Sequence, residues 1–342
     1  MRVLVLTDHG RHTASNSLYA LARALAGEER VGEVRVASRA TPANAAFFAC
    51  DAAARELATA RVGEDFAFAA DGRAFARPEA IPLDWPDAVV LRIPHPVPPG
   101  WFAFLPGAFP GRPIVNRPAG IAATTSKAWL LNVAEVCPAM ALCAAPTQLA
   151  SFVGGPTGGG PPRDAVLKPL DGYGGAGILR VRAGRVEVPG GSPVPLDRWP
   201  AHPLARRPYL AMEYLARVGE GDKRIVVVGD RVLGAVLRVP APGAWLCNVA
   251  QGGRAEAAGV SFAERRILDV LAPRMAALGV VMYGVDTLVG NAGERVLSEV
   301  NTMSIGGLDD LPAVAGRSAA TWAAAGILDA VAALLPQPRS PS

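Results

Sequence analysis

Apolar positions along the chain change period several times, and each change marks an element. Residues 3–6 form a run of four apolar side chains, short enough for a buried strand, and 33–37 reads as a second strand. Between them 14–26 has the Ala/Leu spacing of a helix, so the chain opens as an α/β unit. Residues 88–91 predict another strand, ending in Arg92 and a Pro-rich turn over 93–100, and 113–116 predicts one more. Helical spacing follows over 122–136, with Thr124, Thr125 or Ser126 available as N-cap. Beyond it the pattern is mainly strand-like, at 164–169, 178–181, 185–188, 209–215, 224–228, 232–239, 280–289 and 295–300. Helices are expected over 262–278 and at the end of the sequence. The prediction is an α/β start followed by an α+β remainder, without internal repeats.

Composition narrows the class. A chain of 342 residues, 51% hydrophobic and 19% charged, is globular and long enough for two or three small domains. A formal charge of +4 with no basic run argues against a nucleic-acid partner. Four cysteines (Cys50, Cys137, Cys143, Cys247) without a CxxC predict reduced thiols rather than a disulfide framework or zinc site. MRVLVLTDHG is too short in its apolar run for a signal peptide, and 319–335 contains Asp329 and is too short to span a bilayer. The expectation is a cytoplasmic protein with no membrane partner. The stretch 154–162 (GGPTGGGPP) reads as a connector, since no helix follows it to make a phosphate loop.

Gly172-Tyr173-Gly174-Gly175-Ala176-Gly177 contains a literal GxGxxG. A dinucleotide fold requires a helix after such glycines. Here Ile178 begins an alternating, β-branched run, so the glycines are expected at a hairpin tip, where bare backbone N–H groups can still cradle phosphates. Lys168 lies on the strand before that tip. Asp286 sits mid-strand, and Glu299 and Asn301 alternate on one face of another strand. Two carboxylates and an amide make an all-oxygen set suited to Mg²⁺ bridging phosphates.

At these residues a family resemblance emerges. DAVLKPLDGYGGAGILRV (164–181), MEYLARVGEGDKRIVVV (212–228), NVAQGGRAE (248–256) and YGVDTLVGNAGERVLSEVNTMS (283–304) resemble bacterial glutathione synthetase of the ATP-grasp superfamily, in order and in spacing. The resemblance implies an ATP-grasp fold preceded by a small open α/β domain: residues 1–118, then a central subdomain 119–208 with the Gly-rich hairpin, then a C-terminal subdomain 209–342. It implies that Lys127 and Lys168 contact the nucleotide, with Gly172, Tyr173, Gly174, Gly175 and Gly177 closing over the phosphates. Met212, Glu213, Tyr214 and Leu215 would read the adenine edge, and Asp222 would meet the ribose. Asp286, Glu299 and Asn301 would hold a pair of Mg²⁺ ions, or Mn²⁺. Arg224, Arg238 and Arg254 would hold the substrate carboxylate or an acyl phosphate.

The implied reaction is ATP-dependent joining of a small-molecule carboxylate to an amine, with γ-glutamylcysteine and glycine as the leading pair and a homodimer or homotetramer as the assembly. Two departures bear on the substrate. Arg92-Ile93-Pro94-His95-Pro96 replaces the Arg-Lys-Asp-Pro-Pro of the family, and Asn301 runs into Met303-Ser304-Ile305-Gly306-Gly307. The other readings are a related ligase that joins other amino acids or extends a peptide, a non-catalytic ATP-binding module, and a nicotinamide dehydrogenase. The lysines carry one more expectation. Only Lys127, Lys168 and Lys223 stand against 31 arginines, and all three fall in the resembling segments, where a compact ammonium suits a phosphate better than a planar guanidinium.

Overall fold

The computed structural model describes residues 1–154, 162–172, 175–241 and 254–335. Three sheets organise the chain. The first contains β1 (Arg2–Thr7), β2 (Glu33–Ser38), β3 (Glu56–Arg61), β4 (Glu79–Pro82), β5 (Ala88–Leu91) and β6 (Ile114–Val115) in the order β4-β3-β2-β1-β5-β6. Strands β2, β1, β5 and β6 are parallel, and β3 and β4 extend them antiparallel. Chain order reverses direction at β1, so the carboxyl ends of β1 and β5, carrying Thr7 and Arg92, flank the crevice where open α/β sheets take ligands.

The second sheet holds β7 (Met140–Cys143), β8 (Ala165–Pro169), β9 (Leu179–Arg182), β10 (Arg185–Glu187), β11 (Val194–Pro195) and β12 (Tyr209–Glu213), ordered β11-β10-β9-β8-β12-β7. The third holds β13 (Asp222–Val228), β14 (Arg231–Val239), β15 (Arg254–Ala258), β16 (Met282–Val289) and β17 (Arg295–Asn301), ordered β15-β14-β13-β16-β17. Helices α1 (Leu18–Ala26), α2 (Ala45–Phe48), α3 (Trp101–Ala108), α4 (Pro118–Thr125), α5 (Pro146–Gly154), α6 (Phe262–Leu278) and α7 (Ala319–Leu334) cover them.

Strands β8 and β9 pair antiparallel, Val166 opposite Arg180, so the Gly-rich segment is the tip of a hairpin as its sequence predicts. Gly175 and Gly177 there have φ of 80° and 72°, a region costly for residues with a Cβ. Tyr173 and Gly174 lie outside the described residues, as do Cys247 and most of the 154–162 connector. The single helix expected over 122–136 is instead broken at Ser126 and again at Val133, where φ is −134°. Ser126 is extended (ψ 130°), ends α4, and caps a 3₁₀ stretch, Lys127–Val136, by accepting from the Ala128 N–H. The first break sets Lys127 at a helix start.

Asn116, just after β6, fastens the first sheet's end to the third sheet. Its Nδ2 donates to the carbonyls of Met282 and Thr302 at 2.6 Å each, and its Oδ1 accepts from the Val281 and Met282 N–H groups. A second tie, Thr124 to Thr302 through their hydroxyls at 2.7 Å, holds α4 beside β17. At Gly120 a Cβ would stand 2.3 Å from the Leu278 carbonyl, so α4 reaches the end of α6 only because this residue has none.

Candidate active site

One face of the third sheet carries the polar residues in register. Asp222 pairs with Arg238, Arg224 with Asp286, and Asp286 in turn with Glu299, so strands β14, β13, β16 and β17 present them side by side. The register of β16 and β17 shifts between Asp286 and Thr287: Thr287 faces Leu297 while Asp286 faces Glu299. Ser298 is the extra residue of this bulge. Leu297 is fully buried in the core beneath α6, and strict alternation would send Glu299 to the same side. The bulge turns Glu299 and Asn301 onto the face of Asp286 instead. Lys168, itself buried, satisfies the bulge: its Nζ donates to the Ser298 carbonyl at 2.9 Å and to its hydroxyl at 3.0 Å. Burial lowers the Lys168 pKa, with Glu299 opposing that shift.

Lys127 Nζ donates to Glu299 Oε1 at 2.8 Å, so both lysines expected at a nucleotide come to successive residues of β17. Asp286 accepts from Arg224 Nη2 at 2.7 Å and Nε at 2.5 Å, stands 3.2 Å from Arg238, and accepts from Asn301 Nδ2 at 3.2 Å. Burial pushes its pKa up, but the two guanidiniums outweigh that and hold it well below the usual carboxylate range. Arg238 grips Asp222 with both nitrogens, at 2.7 and 2.6 Å. Burial and the nearby Asp286 charge push Asp222 up to about 6. Gly284 makes room for this clamp, since a Cβ there would press on Arg224 Cδ at 3.1 Å.

Two expected participants stand apart. Arg254 is 73% exposed on the edge strand β15, 3.8 Å from Glu256, and is not brought to the Asp286 cluster. Lys223 points to the opposite face, which corrects the reading that all three lysines mark a phosphate. Its Nζ donates to Glu264 Oε2 at 2.8 Å and to the Gly259 carbonyl. Glu264 is fully buried and also closes the capping box of α6 with Ser261 and accepts from the Thr287 hydroxyl. Neighbouring strand residues point to opposite faces, so Lys223 cannot share a side with Asp222 and Arg224.

Beside the cluster lies a cavity of about 260 Å³ lined by His95, Thr124, Thr125, Lys127, Trp129, Glu299, Asn301 and Ser304, among others. Burial, with Lys127 and Arg39 nearby, pushes the His95 pKa down to about 4, so its imidazole is neutral at pH 7. Arg92 is buried behind the 304–305 loop, donating to the Ile305 carbonyl at 2.6 Å, while its Nε and Nη1 have no hydrogen-bond partner among the described residues. Met212 and Leu215 are buried in and just after β12. Tyr214 lies under the Arg180 guanidinium, 3.9 Å from ring centre to Cζ, and Glu213 accepts from Asn291 Nδ2 at 2.9 Å. Sequence reading passed over Asn116, Ser298 and Asn291. Of these only Asn291 carries a local signal, the Gly290-Asn291-Ala292-Gly293 turn.

The paired sheets, the Gly-tipped hairpin and the acidic–amide face define the class, an ATP-grasp protein. Residues 127–316, more than half the chain, match the model of the prokaryotic glutathione synthetase ATP-grasp domain, and the chain belongs to that family. It is 34% identical over 198 residues to the glutathione synthetase of Parasynechococcus marenigrum (strain WH8102), covering 58% of this chain and 59% of that protein. To the glutathione synthetase of Agrobacterium fabrum (strain C58 / ATCC 33970) it is 27% identical over 263 residues, covering 73% and 74%. The chain thus spans under two thirds of the length of the Parasynechococcus relative. Among solved structures it is similar to D-cycloserine synthetase DcsG (TM-score 0.63, 14% identity, 97% of this chain and 100% of that one). It is also similar to the ATP-grasp ligase PsnB complexed with precursor peptide PsnA2 and AMPPNP (TM-score 0.54, 17% identity, 97% and 96%). At such identities the likeness is one of fold. Among the described residues no helix is long and apolar enough to cross a membrane.

Proposed function

We propose that the chain is an ATP-dependent carboxylate–amine ligase that forms an amide through an acyl phosphate. The observation that carries this reading is the convergence of Asp286, Glu299 and Asn301 on one face with Lys127 and Lys168 at the same strand. Two carboxylates and an amide oxygen fit hard divalent cations such as Mg²⁺, and they fall short of a complete ligand shell. Among the described residues no third His, Cys, Asp or Glu joins them. Such a set suits a cation shared with phosphate oxygens. Bound there, a pair of Mg²⁺ or Mn²⁺ ions would offset the charge of the β- and γ-phosphates.

The chain's own residues then divide the work. Lys127 and Lys168 neutralise phosphate charge, the hairpin tip offers backbone N–H groups, and the Met212–Leu215 linker orients the adenine. Asp222, gripped here by Arg238, would meet the ribose. A substrate carboxylate oxygen attacks the γ-phosphorus, the bond to the β-phosphate oxygen breaks, and ADP departs. The amine nitrogen then attacks the acyl carbon, inorganic phosphate leaves, and the amine's protons pass to solvent. No side chain needs to act as a nucleophile. Arg224 and Arg238 would hold the substrate carboxylate and the acyl phosphate, with Arg254 a further candidate that stands apart on β15.

For substrates we favour γ-glutamylcysteine and glycine. One observation supports a peptide or another amino acid in their place: the first-sheet wall of the cavity presents Pro94 and neutral His95, and Ile93-Pro94 stands where the family carries a Lys-Asp pair. The test is ADP release by purified protein with ATP and Mg²⁺ across donor and acceptor pairs. ADP and glutathione produced only with both γ-glutamylcysteine and glycine support the first reading, and turnover with other pairs supports the second. Nucleotide binding without release for any pair overturns the ligase assignment.

A further inference from the structure

The linker after β12 is gripped from both sheets. Tyr214 donates its N–H to the Asp164 carbonyl at 3.0 Å, on the β8 side, and Glu213 donates its N–H to the Ala139 carbonyl at 2.8 Å, on the β7 side. From the third sheet, the turn joining β16 to β17 sends in one side chain, Asn291. Its Nδ2 donates to the Tyr214 carbonyl at 3.2 Å and to Glu213 Oε1 at 2.9 Å, and its Oδ1 accepts from the Ala216 N–H at 3.0 Å. The turn itself is tight: the Gly290 N–H donates to the Glu294 carbonyl at 2.8 Å. Gly293, at φ 98°, lies so close to the linker's Arg217 that a Cβ would meet Nη1 at 2.9 Å.

A single carboxamide therefore donates to the carbonyl of one linker residue and accepts from the N–H two residues on. A base that presents an amino donor beside a ring-nitrogen acceptor needs that same carbonyl and N–H spacing from a backbone. In an extended segment successive residues direct these groups to opposite edges. Fixing Tyr214 and Ala216 on the Asn291 edge turns Glu213 and Leu215 to the other. We infer that Asn291 is a positioning residue that sets which edge of the linker is offered to the base of the nucleotide. The Arg180 guanidinium stacked on Tyr214 supports the same segment from the second sheet. This inference rests on the proposed reading of residues 212–215 as the nucleotide linker.

The test compares equilibrium binding of a non-hydrolysable ATP analogue and of inorganic tripolyphosphate to the full chain and to Asn291→Ala. Loss of these three hydrogen bonds at an exposed turn is expected to weaken the ATP analogue about tenfold. Tripolyphosphate, which has no base, should bind both proteins alike. Asn291→Asp, which keeps the acceptor for Ala216 and loses the donor, should fall between them. Equal ATP-analogue binding by wild type and Asn291→Ala overturns the inference, as does a parallel loss for both ligands, which would mark a merely structural role. Failure of the wild-type protein to bind the ATP analogue at all would instead remove the nucleotide reading on which the inference stands.

Discussion

Arg224 and Asp286 face each other directly across β13 and β16, and both guanidinium nitrogens that can reach the carboxylate do so, at 2.5 and 2.7 Å. The pair joins a residue expected to hold substrate to one expected to hold metal. Asp286 is nearly fully buried, so an unpaired charge there would be expensive, and Arg224 acts as the cation that makes the carboxylate tolerable. On the proposed ligase reading, Asp286 would share its carboxylate between that guanidinium and a divalent ion, and Arg224 would then be released towards a substrate anion.

Arg224→Met should therefore destabilise the protein by about 3 kcal/mol at pH 7, because it leaves a buried carboxylate short of its main partner. Added Mg²⁺ with an ATP analogue should raise the melting temperature of this variant more than that of wild type, since no guanidinium has to be displaced. The acid limb follows from the direction of the shift. The native pKa of Asp286 lies below its ordinary 3.8, so the pair's contribution is complete above about pH 4 and is lost on further acidification. A smaller Mg²⁺-dependent gain in the variant would refute the competition.

Glu299→Gln tests the metal face with little change of shape. It removes one charge from the oxygen set and leaves Lys127 facing a neutral amide. Turnover should fall by at least about a hundredfold, with the unfolding free energy changed by less than about 1 kcal/mol, since the side chain is partly exposed. Full ADP release by this variant would remove Glu299 from the site.

Much of this arrangement is legible in the sequence, for physical reasons that differ between elements. The buried strands β1 and β5 and helix α6 announce themselves because a run or a period of apolar residues survives at the surface of the sequence. Strand β4 has only Ile81 buried, and β15 is almost wholly exposed, so neither carries an alternation to read. Glu299 and Asn301 share a face as their spacing implies, but which face depends on the bulge at Ser298, and a bulge leaves no period. Lys223 shows the limit of composition. A rare residue type marks sites where its chemistry is needed, and a buried carboxylate needs an ammonium as much as a phosphate does.

Lys223 on β13 and Lys168 on β8 should separate cleanly under mutation. Lys223→Met leaves the buried Glu264 with only the more distant Arg295, at 3.7 Å, as a cation and should cost about 3 kcal/mol of stability while the folded fraction keeps its affinity for an ATP analogue. Lys168→Met should instead weaken that affinity by tenfold or more, and Lys168→Arg should not restore it, because a planar fork does not fit where one ammonium bonds the carbonyl and hydroxyl of Ser298. Loss of ATP-analogue affinity in well-folded Lys223→Met would reinstate all three lysines as phosphate ligands.

Two histidines, His12 and His95, contribute to the pH dependence near neutrality. Burial pushes His12 down to about 4, helped by the adjacent His9 and Arg92, and His12 sits between the Thr7 and Tyr19 hydroxyls at 3.1 and 3.0 Å. His95 is likewise pushed down to about 4 by burial and by Lys127. With native values below the ordinary 6.5, these imidazoles leave the unfolded chain binding more protons between pH 6.5 and 4, so their contribution to stability falls as pH drops through that window, while Asp222, pushed up to about 6, opposes the slope. Both rings are only half-buried, and solvent screening reduces each contribution to about 1 kcal/mol between pH 7 and pH 5. Urea midpoints measured from pH 5 to 8 should show this slope in wild type and a shallower one in His12→Gln and in His95→Gln. Equal slopes in all three proteins would mean that neither imidazole is held neutral by the fold.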